Sequence, residues 1–286
     1  MPSLIDIRRR IRSVKNTQQI TRAMKMVSAA KLRRAQDRVI ASRPYAGLLR
    51  TVLGNVAAAV AGDEQAGNNP LLAQRPEQRI LLVVFTSDKG LAGAFSTNII
   101  KGVLQFVEQR PDAAVRFELV GRKGRDFFRK RPVSISGEYL NLAAKPAHSD
   151  TAEIARKAMD LFRNEEIDAV YMVYNEFRSV VSQKLTFSRI LPVQMPQQRE
   201  TVDYLFEEPP AQMLHDLLPR YVEMEFFRAL LESAAAEHAA RMTAMEAATS
   251  NASEMIDRLT LYMNRVRQAS ITKEIIEVVS GAAAAE

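Results

Sequence analysis

Residues 87–98, SDKGLAGAFSTN, come nearest in residue type and setting to phosphate chemistry. They follow the apolar run RILLVVF and lead into an amphipathic stretch, the strand–turn–helix context in which backbone N–H groups hold phosphates. The spacing completes no such device. Gly90 and Gly93 give GxxG, whereas a Walker loop needs GxxxxGK[ST] and a dinucleotide fingerprint needs GxGxxG. Ala94 and Phe95 stand where a Gly-Lys pair would be sought, so Asp88 and Lys89 are read as turn and surface-pairing residues. GRKG, 121–124, is a second glycine turn after a strand and reads the same way.

Other routes to chemistry are closed by composition. There is no cysteine, which removes disulfides, thiolate zinc sites and thiol catalysis. His148, His215 and His238 are far apart in sequence and form no HExxH pattern. The carboxylate pairs Glu165–Glu166 and Glu207–Glu208 fall at helix ends or loops, where solvation is their ordinary state, and no Ser/His/Asp set converges. Catalysis by this chain alone is not expected.

Charge is what remains. The first 50 residues carry 13 Lys/Arg against Asp6 and Asp37, a net +11, which leaves −4 for the rest of a chain of +7. ITRAMKMVSAAKLRR (20–34) is the centre of this basic arm, and such an arm seeks an anionic partner. Residues 1–44 contain no aromatic for stacking on bases, and Arg8, Arg12, Lys15, Arg22, Lys25, Arg33 and Arg34 spread around a helix instead of lining one stripe. The apolar face carries Ala, Met and Val where a membrane-surface helix wants bulkier groups. The pattern fits best a slim shaft whose outside meets acidic protein surfaces. A solvated basic face is the bland alternative, and a basic coiled-coil nucleic-acid-binding protein is the rival function.

The elements that would position these groups fall into four parts: 1–58 a coiled-coil helix, 59–78 a linker, 79–209 a Rossmann-like α/β domain, and 210–286 a second coiled-coil helix. Leu4, Ile7, Ile11 and Val14 share one helical face. At Gln18 and Thr21 the apolar repeat breaks, and it is expected to resume out of step through Ile20, Ala23 or Met24, and Val27, as in a stutter. Pro44 is expected to kink or interrupt this helix. RILLVVFTS (79–87), VRFELVG (115–121), VSISGEYL (133–140), AVYMVYN (169–175) and VVSQKLTFSRILPV (180–193) read as strands alternating with helices, a mainly parallel layer with the last strand as an antiparallel edge. Met242, Met245, Thr249, Ala252, Ile256, Leu259, Met263, Val266 and Ser270 keep a 3-4 repeat over more than four heptads. Pro219 marks a kink or the true start of that helix, and Gly281 its stop. Two helices of about 80 Å and about 105 Å, at ~1.5 Å per residue, exceed a globule of this length. The expectation is therefore a rod of two antiparallel helices on an α/β foot. No apolar run reaches the ~20 residues of a membrane helix and the N-terminus lacks a secretory h-region, so a soluble intracellular protein is expected.

IRRRIRSVKNTQQITRAMKMVSAAKLRRAQ closely resembles the N-terminal helix of the gamma-subunit family of F-type (rotary) ATP synthases, in its bacterial form. RQASITKEIIEVVSGAAAA resembles that family's C-terminal signature, through Ile271, Thr272, Glu274, Glu277, Gly281 and Ala282. SDKGLAGAFSTN is similar to its loop after the first strand of the central domain, with Ala92 where relatives often have cysteine. The chloroplast insertion with its regulatory dithiol is absent, so thiol control is not expected. The resemblance implies a central-stalk subunit, one copy within a ring of three alpha and three beta subunits, with the foot on the epsilon subunit and the membrane c-ring. Proton flow through the ring would turn it, at the cytoplasmic face of the bacterial inner membrane and without a span of its own. It implies no cofactor on this chain, ATP and magnesium belonging to partner subunits, and no nucleic acid. It places Arg22, Met24 and Lys25 beside an acidic beta-subunit loop, Arg241, Arg267, Gln268 and Thr272 near beta-subunit catch loops, and Tyr204, Phe206 and Glu207 against the membrane ring. The apolar, uncharged tail Ala282–Ala285 would suit a tip turning in a close sleeve.

Overall fold

A computed structural model of the chain describes residues 3–60, 69–195 and 208–283, the side chains of 281–283 excepted. Two compact units emerge: Met1–Ser28 with Met242–Glu286, and Ala29–Arg241. Each contains part of both long helices, α1 (Leu4–Ala59) and, last in the chain, α5 (Pro210–Ala283).

The larger unit is built on a five-stranded sheet. Its elements are β1 (Arg79–Phe85), α2 (Phe95–Glu108), β2 (Ala114–Val120), α3 (Arg122–Phe128), β3 (Ser134–Tyr139), α4 (His148–Arg163), β4 (Ala169–Phe177) and β5 (Gln183–Leu191). The order is β3-β2-β1-β4-β5, with β5 antiparallel to β4 and every other pairing parallel. The continuous apolar run of β1 is explained by helices on both of its faces. Ile80, Leu82 and Val84 pack with Ile99, Val103 and Phe106 of α2, while Leu81, Val83 and Phe85 pack with Ile154, Ala158 and Phe162 of α4. Leu81 to Val84 are fully buried, and each side chain contributes about 1.5–3 kcal/mol relative to exposure.

The same core takes in Leu53 and Val56 of α1 with Leu218, Val222 and Phe226 of α5. This explains why the compact units cut through both long helices. The inner turns of each helix are core of the α/β layer. From Glu225 to Arg241 almost every residue of α5 is buried, and small residues such as Ala234, Ala235, Ala236 and Ala239 let neighbours approach on all sides.

An interruption at Pro44, a helix start at Pro219 and a stop at Gly281 are corrected. Pro44 lies inside α1 and Pro219 inside α5, and neither ends its helix. The carbonyls they leave without an i+4 donor belong to Ile40 and His215, both exposed residues, so solvent has access to them. α5 therefore starts at Pro210. Gly281 does not stop it either, since the helix continues to Ala283; a helical glycine costs only about 1 kcal/mol relative to alanine. At its other end α1 is capped by Ser3, whose Oγ accepts from the Asp6 N–H (3.2 Å) and donates to the Asp6 carboxylate (3.0 Å).

Candidate partner-facing surfaces

In the smaller unit the two helix ends lie side by side. Thr21 Oγ1 meets Thr249 Oγ1 at 2.8 Å, and Lys25 Nζ meets Glu246 Oε1 at 2.6 Å. Moving four residues up α1 moves the contact three residues down α5, so the pair is antiparallel. Burial along α1 recurs at Leu4, Ile7, Ile11, Val14, Gln18, Thr21, Lys25 and Ser28, with Ile7, Thr21 and Ser28 the deepest. This is one unbroken 3-4 repeat. The expected stutter is absent: Ile20, Met26 and Val27 are exposed at 60%, 67% and 56%. Polar residues occupy the interior turns because their groups are satisfied there. The Thr21 hydroxyl also lies 3.0 Å from the Gln18 carbonyl and that of Thr249 2.7 Å from the Met245 carbonyl; with one proton each, the two hydroxyls fill two of these three contacts at a time. On α5 the same unit buries Met245 and Ala252 and half-buries Ile256, Leu259, Met263 and Val266.

Outside this seam lies a polar groove lined by Gln18, Arg22, Lys25, Glu246, Thr249 and Ser253. Of its two cations, Lys25 is engaged by Glu246, while Arg22 is exposed and has no hydrogen-bond or ion-pair partner among the described residues. Met24 is half-buried beside them. Arg267, Gln268 and Thr272 are exposed and equally without partners among the described residues. Gln268 and Thr272, four apart, share one helical face. Ile271, Ile275, Ile276, Val278 and Val279 are also exposed.

Arg241, expected to face a partner, is engaged within the chain. It is 8% exposed in the larger unit, ion-paired to Glu237 at 2.5 Å, and donates to the backbone carbonyls of Lys89 and Gly90, both at 3.3 Å. It fastens the 87–94 loop to α5. Sequence alone left Glu237 and Arg241 as two charged residues on a helix; their i,i+4 spacing was the available signal. Burial raises the Glu237 carboxyl above its ordinary range, against the lowering effect of Arg241.

The loop itself spends its polar groups internally. Thr86 Oγ1 donates to the Val120 carbonyl (3.0 Å) and accepts from the Gly124 N–H (2.9 Å). Asp88 accepts from the Arg122 N–H (3.1 Å), and Ser87 and Ser96 share a bond of 2.8 Å. The carboxylates that sequence set aside as solvated lie at the surface where described: Glu165 pairs with Arg75 (3.2 Å), Glu166 with Arg116 (3.6 Å), and Glu208 is exposed. No group of three or more metal-ligating side chains occurs among the described residues, and no helix among them is long and apolar enough to cross a membrane. Tyr204, Phe206 and Glu207 lie outside the described residues, as do Ala284 and Ala285 of the tail.

Comparison with known proteins follows the whole chain. The ATP synthase family model matches residues 3–285. The chain is 76% identical, over the full length of both, to the ATP synthase gamma chain of Solibacter usitatus, and 48% identical over the full length of both to that of Desulfitobacterium hafniense. Among solved structures it is similar in fold to a chain of the Euglena gracilis mitochondrial ATP synthase OSCP/F1/c-ring assembly, with a TM-score of 0.67 at 20% identity, covering 98% of this chain and 94% of that one. A chain of the Tetrahymena thermophila central stalk/c-ring structure matches with a TM-score of 0.59 at 24% identity, over 80% of this chain and 99% of that one.

Proposed function

The chain belongs to the ATP synthase gamma chain family, and from that premise we propose how its residues serve the central stalk of a proton-translocating F-type ATP synthase. It is a non-catalytic subunit that couples proton flow to ATP synthesis by rotating within the catalytic hexamer. Membership over the whole chain carries this reading, and it sets aside the nucleic-acid-binding alternative.

In the proposed assembly one copy stands within three alpha and three beta subunits at the cytoplasmic face of the bacterial inner membrane. Residues 1–58 and 210–286 act as the shaft, 79–209 as the foot and 59–78 as a linker. The foot meets the epsilon subunit and the c-ring, the latter through Tyr204, Phe206 and Glu207. ATP and magnesium stay on the partners, and the chain carries no cofactor.

A shaft transmits torque only if its strands do not slide past one another. Burial of Leu4, Ile7, Ile11 and Val14 on α1, and of Met245, Ala252, Ile256, Leu259, Met263 and Val266 on α5, supports a seam that resists separation. The Thr21–Thr249 bond supports a fixed register, because a one-heptad slip would leave both hydroxyls without each other. Arg22 is the free cation for an acidic beta-subunit loop, with Met24 packing beside it and Lys25 sharing its charge with Glu246. Arg267, Gln268 and Thr272 offer unspent donors to the catch loops. Arg241 would join that set only with donor capacity left over from its bonds to Glu237, Lys89 and Gly90.

Leu259→Asp in an assembled complex tests the reading. A charge in the seam costs a few kcal/mol, so ATP hydrolysis should persist while proton pumping falls by more than half. Full coupling in an assembled Leu259→Asp complex would refute the shaft role.

A further inference from the structure

Lys31, Arg34 and Arg38 follow one another at intervals of three and four on α1 and so share a face in the larger unit. They line a single cleft together with Ala144 and Pro146 of the turn after β3 and with His238 of α5. No acidic side chain lines it. Many other arginines of this unit are spent on carboxylates, such as Arg50 on Glu225, Arg75 on Glu165 and Arg79 on Asp168. Lys31, Arg34 and Arg38 have no ion-pair or hydrogen-bond partner among the described residues.

The fourth polar group is also a donor. Arg241, which can only donate, lies with Nη1 3.3 Å from His238 Nδ1, so that nitrogen accepts and the ring proton sits on Nε2. Burial, with Arg241 and Lys31 nearby, pushes the imidazole down to about 4, which keeps it neutral at physiological pH. Glu237, the acid next to His238 in sequence, is bound to Arg241. Glu237 is near enough to Lys31 to feel its charge, but its hydrogen bond goes to Arg241, and the lining of the cleft presents cations and a donor without an acidic side chain.

We propose that this cleft binds a small oxyanion of the phosphate class, held by the Arg34 and Arg38 guanidinium forks and the Lys31 ammonium, with His238 Nε2–H as a neutral donor. Planar forks match phosphate oxygens two at a time. The cavity of about 140 Å³ is well below the ~300 Å³ at which pockets begin to enclose drug-sized ligands, so a phosphoryl group fits and a whole nucleoside does not. The ligand is either free inorganic phosphate or the terminal phosphate of a larger molecule whose remainder stays in solvent. Exposed cations imply an affinity of about millimolar order. None of the residues assigned above to individual partner contacts lines the cleft, and binding to the isolated chain does not depend on those contacts.

Titration of the purified full-length chain tests this. Inorganic phosphate and ATP are added separately at constant ionic strength set with chloride, and read by 31P line broadening and by the side-chain NMR signals of His238. The expected result is saturable one-site binding that shifts the His238 Nε2–H signal. Affinity should fall at least tenfold in Arg34→Gln/Arg38→Gln, and should be unchanged in Arg8→Gln/Arg9→Gln, two exposed cations of the other unit. Saturation by phosphate alone identifies the free ion as the ligand; competitive and tighter binding of ATP identifies a terminal phosphate. Absence of saturation by either, or equal affinity in the Arg34→Gln/Arg38→Gln chain with its helical circular dichroism intact, overturns the proposal.

Discussion

Gly121 joins β2 to α3 at φ 94°, and a Cβ there would stand 2.1 Å from the Thr86 carbonyl oxygen. Backbone strain and a backbone clash coincide, so Gly121→Ala should cost at least about 2 kcal/mol. A urea denaturation midpoint measures this, and an unchanged midpoint would contradict the geometry. His238 makes a prediction with a sign. Its folded pKa is lowered from 6.5 to about 4, mainly by burial. As pH falls through 6.5 the unfolded chain gains a proton that the folded chain refuses until near 4. Stability therefore drops across that window, by at most about 1.4 kcal/mol per pH unit. Glu232 and Glu237 act oppositely: burial raises both, so each costs stability at neutral pH and that cost is relieved as pH falls through the raised value. His238→Gln isolates the histidine, and its melting temperature should decline less steeply than the parent's between pH 6.5 and 4. Parallel declines would show that the imidazole takes up its proton equally in both states.

At the scale of elements, the polar turns of the helix pair decide register. Thr21→Val or Thr249→Val alone removes the bond between the helices, leaves the other hydroxyl only the carbonyl of its own helix, and should cost about 1 kcal/mol, whereas the double variant should lose less than the sum, because two apolar groups replace both partners. Thermal melts followed by circular dichroism supply the cycle; strict additivity would mean that the 2.8 Å bond carries no coupling. The same turns mark the limit of what sequence could reveal. Leu4 to Val14 announced their face by apolar spacing, and RILLVVF announced a strand buried on both sides. An apolar repeat, however, treats Gln18, Thr21, Lys25 and Ser28 as a break. Only the partner helix, more than 220 residues away, shows that Thr21 and Lys25 have matching groups opposite them. The internal bonds of Arg241 were illegible for a similar reason, since the carbonyls of Lys89 and Gly90 that it reaches are some 150 residues distant.

At the scale of the whole molecule, the chain's charge and its lack of chemistry are two sides of one role. A net +11 in the first 50 residues has no catalytic constellation to serve, and family membership over residues 3–285 gives it a setting among other subunits. The helix pair and the parallel sheet are legible in the amino-acid order because each has a period, near 3.5 for the paired helices and a continuous apolar run for a strand covered on both faces. The residues that would touch partners are legible only through resemblance, since an exposed Arg22 or Gln268 looks like any solvated surface group. Observation of rotation tests the central claim most directly. In a complex immobilised through its beta subunits, a nanorod fixed to the foot of this chain should turn in one direction on ATP addition, with three stops per turn set by three catalytic sites. Steady ATP hydrolysis in the same complexes with a stationary nanorod would contradict the account.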